Sequence, residues 1–97
     1  RVVFLSCEDI LYVTTERPYL VLVTGERKYL YNSTLQGFKE AHLSDRFVRI
    51  HKSTIVNTDH IHSYRSRQNG DYDVRMANGD TVRASRNYND FFQLNAE

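Results

Sequence analysis

The chain has 97 residues, 40% hydrophobic and 26% charged, and carries a net charge of +1 at pH 7. That is enough for one compact domain of ordinary globular composition, which excludes a disordered tail and a uniformly basic binder of polyanions. The lone Cys7 excludes an internal disulfide and a cysteine-based zinc site, and no apolar run has the length of a membrane span or the pattern of a signal peptide. Cys7 reads as a small buried hydrophobe at a strand end, in keeping with a reducing cytoplasm.

The opening run "RVVFLSCEDI" looks like a domain already under way and suggests a piece of a longer protein. Val2–Leu5 reads as a short apolar strand. "ILYVTT" (10–15) and "YLVLVT" (19–24) are rich in β-branched and aromatic residues, and the second is apolar enough to be covered on both faces. The polar "TERP" between them is a loop. Gly25-Glu26 turns the chain into "RKYLYN", where Tyr29 and Tyr31 share a face. In "NSTLQGFKEAHL", Ser33 is the expected N-cap with Gln36 three residues on, a capping-box arrangement that places Leu35, Phe38, His42 and Leu43 near one helical face.

"FVRIHKSTIVN" (47–57) follows as strand, exposed "HKS" turn and strand. Two "NGD" triplets, 69–71 and 78–80, predict type I′ hairpin turns joining three antiparallel strands, Ile61–Gln68, Asp71–Met76 and Thr81–Ala84. Tyr72, Val74 and Met76 alternate with Asp71, Asp73 and Arg75 on the middle strand, one face buried and one wet. In "RNYNDFF", Tyr88, Phe91 and Phe92 fall at helical spacing and are expected to pin the C-terminus to the sheet. The fold class is therefore mostly β: short antiparallel strands in small sheets, about ten in all, with one short mid-chain helix and a short C-terminal helical turn.

Catalytic chemistry finds little support. Ser53, Ser85 and Cys7 lack a nucleophile elbow, most carboxylates sit at turns, no glycine-rich phosphate cradle occurs, and no paired groups are arranged to move a proton. His60 and His62 alternate on a strand near Asp59 and could take His51 as a third ligand, but nothing fixes the distance, so no metal site and no cofactor is assigned.

Charge is unevenly spread. Residues 46–67 hold five Lys or Arg against Asp59 alone, a local +4 that could aim one face at an anion. The "HKS" turn offers an imidazole, an ammonium and a hydroxyl. "ASRNYN" (84–89) offers Ser85, Arg86 and Asn87, and the proline-stiffened "TERPYL" loop offers Arg17. Arg suits guanine and Asn suits adenine through paired hydrogen bonds. Three such loops form a workable nucleic-acid surface; loops that merely solvate the domain are the plain alternative.

Three stretches in order, "EDILYVTTE", "TLQGFKEAHLSDRFVRIHKSTIVNTDHI" and "VRMANGDTVRASRNY", resemble the LytTR-type DNA-binding domain, whose members follow "tL…L…FvRiHrSyiVN…I…l.nG…vSRry". The resemblance covers nearly the whole chain, 1–97 as a single domain. It implies the C-terminal output of a bacterial, cytoplasmic response regulator of the AlgR/AgrA/LytR group, preceded by a receiver domain and serving transcription regulation in a two-component phosphorelay. It implies non-enzymatic, sequence-specific binding of double-stranded promoter DNA, as a dimer on paired direct repeats, with loops entering successive major grooves and no membrane partner. Carried over by position, Lys52, Arg86, Asn87 and Arg17 become base readers. Arg49, His51, Ser53, Ser85 and Tyr88 become phosphate contacts or turn supports. Lys52 stands where Arg is common in the family, and an ammonium is a point charge with no bidentate fork. The competing reading is a protein-interaction module, such as an anti-regulator, that binds no DNA.

Overall fold

The computed structural model describes residues 2–95. Five strands, β1 (Ile10–Glu16), β2 (Tyr19–Thr24), β3 (Lys28–Tyr31), β4 (Phe47–His51) and β5 (Thr54–Asn57), form an antiparallel sheet in the order β3-β2-β1-β5-β4. A second antiparallel sheet contains β6 (Ile61–Ser66), β7 (Tyr72–Met76) and β8 (Thr81–Ala84) in sequence order. Helix α1 (Leu35–His42), the short helix α2 (Asp90–Leu94) and three single 3-10 turns, Cys7–Asp9, Thr58–His60 and Arg86–Tyr88, complete the regular structure of the described residues.

Strands β1, β2 and β5 of the larger sheet are covered on both faces, while the edge strand β3 is largely exposed. Ile10, Val13, Leu20, Leu22, Phe47 and Ile55 pack beneath Leu35 and Phe38 of α1. Leu11, Tyr12, Val21, Val23, Ile50 and Val56 pack against Val74, Met76 and Ala84 of the smaller sheet and Phe92 of α2. This double coverage explains why "YLVLVT" is continuously apolar: Leu20, Val21, Leu22 and Val23 alternate between the two cores.

Two bulges serve that packing. The β1–β2 register shifts between Ile10 and Tyr12, which lets the adjacent Leu11 and Tyr12 both face the smaller sheet. The β4–β5 register shifts between Arg49 and His51. Ile50 is the extra residue, and its carbonyl accepts the Ser85 amide at 2.8 Å, as expected of a bulge residue released from its own ladder.

The structure corrects several expectations. There are eight described strands, not about ten. Val2–Leu5 is irregular: Val2 and Phe4 are 79% and 94% exposed, and no strand among the described residues pairs with that segment. The N-cap of α1 is Thr34, not Ser33; its Oγ1 accepts the Gly37 amide at 3.0 Å. A Cβ at Gly37 would stand 2.8 Å from that hydroxyl oxygen, so the glycine admits the cap despite its helix cost of about 1 kcal/mol. Gln36 does not close a capping box, because with Thr34 as the N-cap the third helical position is Gly37; the Gln36 side-chain amide donates to Glu40 at 3.0 Å instead.

Both "NGD" turns also differ from type I′. Among the described residues only Gly70 (φ 91°) and Gly79 (φ 93°) have positive φ. Gly70 N–H donates to Arg67 O at 3.1 Å and Arg67 N–H to Asp71 O at 2.8 Å; Gly79 with Met76 and Met76 with Asp80 repeat the pair at 2.9 and 2.8 Å. These are three-residue loops, a type I turn closed by a left-handed glycine. The extra loop residue is why β7 begins at Tyr72 and β6 stops at Ser66.

At the C-terminus, Phe92 is the pin. It is fully buried, with its ring centroid 5.3 Å from Tyr72 in a stacked geometry and 4.9 Å from Tyr64 edge-on. Phe91 supports it edge-on at 5.2 Å. Tyr88 stays outside this cluster and is exposed.

Candidate nucleic-acid interface

The antiparallel ladder decides which loops meet. Thr14 of β1 pairs with Thr54 of β5, and Glu16 with Tyr19 of β2. The β1–β2 turn (Arg17-Pro18) and the β4–β5 turn (Lys52-Ser53) therefore project from the same end of the sheet. Leu20 pairs with Tyr31, which brings the chain leading into α1 to that end as well. One groove is lined by Arg17, Tyr19, Ser33, Gln36, Arg49 and Lys52, among others. Ser85, bonded to Ile50 O, sets the turn Arg86–Tyr88 against the outer edge of β4. The turns carrying Arg17, Lys52 and Arg86-Asn87 thus stand in a row across the sheet end.

The Lys52 turn is fixed by its neighbours. His51 Nδ1 accepts the Ser53 amide at 3.1 Å and lies 2.9 Å from Ser53 Oγ. Arg49 Nε donates to His51 O at 3.2 Å, a terminal nitrogen of Arg49 donates to Lys52 O, and the other reaches toward Gln36 Oε1 at 3.5 Å. Ser53 O accepts the Thr15 amide at 2.9 Å and the Thr14 hydroxyl at 3.2 Å. Arg49, His51 and Ser53 thus spend their polar groups on the turn. The Lys52 side chain is exposed and makes no hydrogen bond or ion pair among the described residues.

The second turn is held just as firmly. Ser85 Oγ accepts the Asn87 amide at 3.2 Å, and Ser85 O accepts that of Tyr88 at 2.8 Å. Arg86 N–H donates to Asp71 Oδ1 at 2.8 Å. Buried Asn89 donates through Nδ2 to Gly70 O at 2.9 Å. The Arg86 amide, then the Arg83 and Asn69 side chains, hold the Asp71 carboxyl below its usual range. Arg86 and Asn87 point exposed side chains outward with no partner among the described residues.

The +4 window does not form one patch. Arg46 pairs with Asp59 at the far end of β4, and Arg67 pairs with Asp73 at 2.9 Å. Arg83 pairs with both Asp71 and Asp73, at 3.2 and 3.1 Å. Charge at the turn end comes from three separated segments, with Arg17, Arg49, Lys52 and Arg86 outside any ion pair among the described residues. Sequence reading missed Asn89 as a buried support and Asp71 as more than a turn residue; the available signals were an Asn between Tyr88 and the start of α2, and an Asp between Gly70 and Tyr72. Asn57, 2% exposed, is structural: it donates to Glu8 O and Ile10 O and accepts the Asp59 amide.

The histidines are spread out. His60 leaves the expected strand for a helical turn (Thr58–His60), with Nε2 2.9 Å from Glu8 O, while His62 lies beside Ser63 Oγ. Among the described residues no three His, Cys, Asp or Glu side chains are grouped to hold a metal ion. No described helix is long and apolar enough to cross a membrane.

Comparison with known proteins agrees with this arrangement. Residues 1–95 match the family model of the LytTr DNA-binding domain. The chain is 29% identical over 90% of its length to the sensory transduction protein LytT of Bacillus subtilis, and 30% identical over 91% to LytR of Staphylococcus haemolyticus. It spans 36% and 34% of those relatives, about a third of their length. A solved LytTr DNA-binding domain of a response regulator from Bacillus cereus superposes with a TM-score of 0.81 at 25% identity, covering 90% of this chain and 80% of that one. With its two antiparallel sheets, its row of braced turns and this match over residues 1–95, the chain belongs to the LytTr family of DNA-binding domains.

Proposed function

We propose that this domain binds specific double-stranded promoter DNA and regulates transcription, as the output domain of a cytoplasmic response regulator whose receiver domain precedes it. The observation that carries this is the row of turns at one sheet end, whose backbones are braced while the side chains of Arg17, Lys52, Arg86 and Asn87 remain unpartnered among the described residues. Braced turns with unsatisfied donors suit base edges, because the ordering cost is met in the fold before DNA arrives. The turns enter successive major grooves, and two copies occupy paired direct repeats. Arg17 and Arg86 can fork onto guanine and Asn87 onto adenine, while Lys52 supplies a single ammonium. Ser85 and Tyr88 buttress the outer turn, and backbone phosphates supply a salt-sensitive attraction that is blind to sequence. Nothing in this set moves a proton or an electron, so the domain acts by binding alone.

The test is selection of bound duplexes from a random-sequence pool, followed by affinity measurements with Lys52→Ala and Arg86→Ala. Each substitution is expected to relax preference at its own base pairs and to weaken specific binding by about 1–3 kcal/mol. Unchanged affinity and preference in both would remove these residues as readers, and a pool with no enriched sequence would remove the function.

A further inference from the structure

The Asn69–Asp71 turn joins β6 to β7 and carries none of the proposed reading side chains, yet it touches the Arg86 segment at three points. Asp71 Oδ1 accepts the Arg86 amide at 2.8 Å. Gly70 O accepts Nδ2 of the buried Asn89 at 2.9 Å. A Cβ placed on Gly70 would stand 3.2 Å from Arg86 Cβ, so the glycine backbone lies against the base of that side chain. The carboxylate is itself oriented: Asn69 Oδ1 accepts the Asp71 amide at 3.0 Å, Asn69 Nδ2 lies 3.3 Å from Asp71 Oδ2, and Arg83 donates to Oδ2 at 3.2 Å. One oxygen is thereby occupied by side chains and the other faces the main chain of the reader.

Hydrogen bonds from Ser85 to Ile50 and from Asn89 to Gly70 hold the two ends of the 85–89 segment. Between them, the Asp71 contact is the only hydrogen bond among the described residues that ties the Arg86 backbone to another part of the fold. An amide fixed at position 86 fixes the Cα–Cβ direction of Arg86 and, one residue on, of Asn87. A long side chain amplifies small errors at its root, and a reading group must be held within about 0.5 Å of its productive position.

We infer that Asp71, on its glycine turn, is a positioning residue that sets the direction from which Arg86 and Asn87 approach the bases, and so tunes sequence preference without touching DNA. This rests on the reading of Arg86 as a base contact proposed above. The Asp71–Arg83 pair makes the bracket part of the β6–β8 wall, so the aim of the reader follows the position of the smaller sheet.

The experiment compares Asp71→Ala, Asp71→Asn and Arg83→Ala in the full chain, using a duplex enriched from the random pool and a scrambled duplex. Base pairs read by Arg86 are those whose preference Arg86→Ala relaxes. Asp71→Ala is expected to lower discrimination at those pairs about fivefold or more, with preference at the Lys52 pairs and affinity for the scrambled duplex unchanged. Asp71→Asn keeps an acceptor for the amide and should restore most of the discrimination. Hydrogen exchange of the Arg86 amide in DNA-free protein should accelerate in Asp71→Ala and not in Arg83→Ala. Should Asp71→Ala fail to fold, Gly70→Ala against Gly79→Ala gives the same answer. Both carry the cost of positive φ, but nothing lies within 4 Å of a Cβ at Gly79, so only Gly70→Ala should shift preference at the Arg86 pairs. An enriched sequence whose Arg86 pairs are read equally well by Asp71→Ala, or equally by the two glycine variants, overturns the inference alone. Equal loss at the Lys52 and Arg86 pairs also overturns it, since a merely structural role would act on both. A pool without enrichment overturns the DNA reading and this inference together.

Discussion

Two sets of cations differ in their surroundings, and the contrast between them is more informative than the net charge of +1. On the β6–β8 wall and at the far end of β4, Arg46, Arg67 and Arg83 are matched to Asp59, Asp71 and Asp73. At the turn end, Arg17, Lys52 and Arg86 meet no carboxylate within ion-pair distance among the described residues. Arg49 belongs to neither group, since its guanidinium is taken up by main-chain carbonyls of the turn it supports. A cation already matched to an acid has little to offer a phosphate or a guanine. Arg46, Arg67 and Arg83 therefore add little to the attraction that the turn end can exert on an anion.

The contrast can be broken most directly by emptying the turn end. Lys52→Ala combined with Arg86→Ala should cost about 2–6 kcal/mol of specific DNA binding, near the sum of two independent base contacts. The melting midpoint should move little, because both side chains are exposed and neither is ion-paired among the described residues. A midpoint that falls with affinity would mean these side chains hold the fold. Next in size, Arg49→Ala should weaken specific binding by about 1–3 kcal/mol through the loss of charge-assisted hydrogen bonds to the turn. It should also speed amide exchange within residues 51–53, which a phosphate contact alone would not do.

Acid titration probes the matched population. The Asp73 carboxyl is held low first by Arg67 and then by Arg83, and the Asp71 carboxyl first by the Arg86 amide. Both are depressed in the folded state, so their contribution is present above the unfolded value near 4 and is lost as pH falls through the folded values. Chemical denaturation between about pH 5 and pH 2 should show this decline, and Arg67→Ala should flatten it. Smallest of all, Arg46→Ala removes an ion pair whose side chains are 63% and 51% exposed. It should change stability by about 0–1 kcal/mol and leave DNA affinity where it was. A loss of DNA binding there would dissolve the distinction between the two populations.

Much of the frame was legible because its signals are local. Continuous apolarity in "YLVLVT" identified a doubly covered strand, and the fall in β-propensity at Lys52-Ser53 marked a turn. Other features depend on partners far along the chain. Whether Val2–Leu5 forms a strand depends on an open edge to pair with, and its own residues carry no record of one. Asn-Gly indicates a turn, but the three-residue form follows from how Asp71 and Asp80 close the ladder. The hydroxyl that caps α1 is chosen between Ser33 and Thr34 by backbone geometry that both residue types tolerate. Reading the cations as one linear window failed for the same reason: the pairing of Arg46 with Asp59 and of Arg67 with Asp73 is a property of the folded surface. At the site, the residues that offer side chains outward were nameable from their types, whereas the residues that brace them act through contacts such as Asn89 to Gly70.

The bulge at Ile50 has a consequence for how such a domain could be retuned. Its released carbonyl joins the Ser85 amide, so the gap between the Lys52 tip and the Arg86 tip is set by main chain, one inserted residue and one hydrogen bond. Exchanging either tip residue alters which letter is recognised and leaves the pitch between letters intact. Deleting Ile50 would do the reverse, keeping both chemistries while throwing the ruler out of scale.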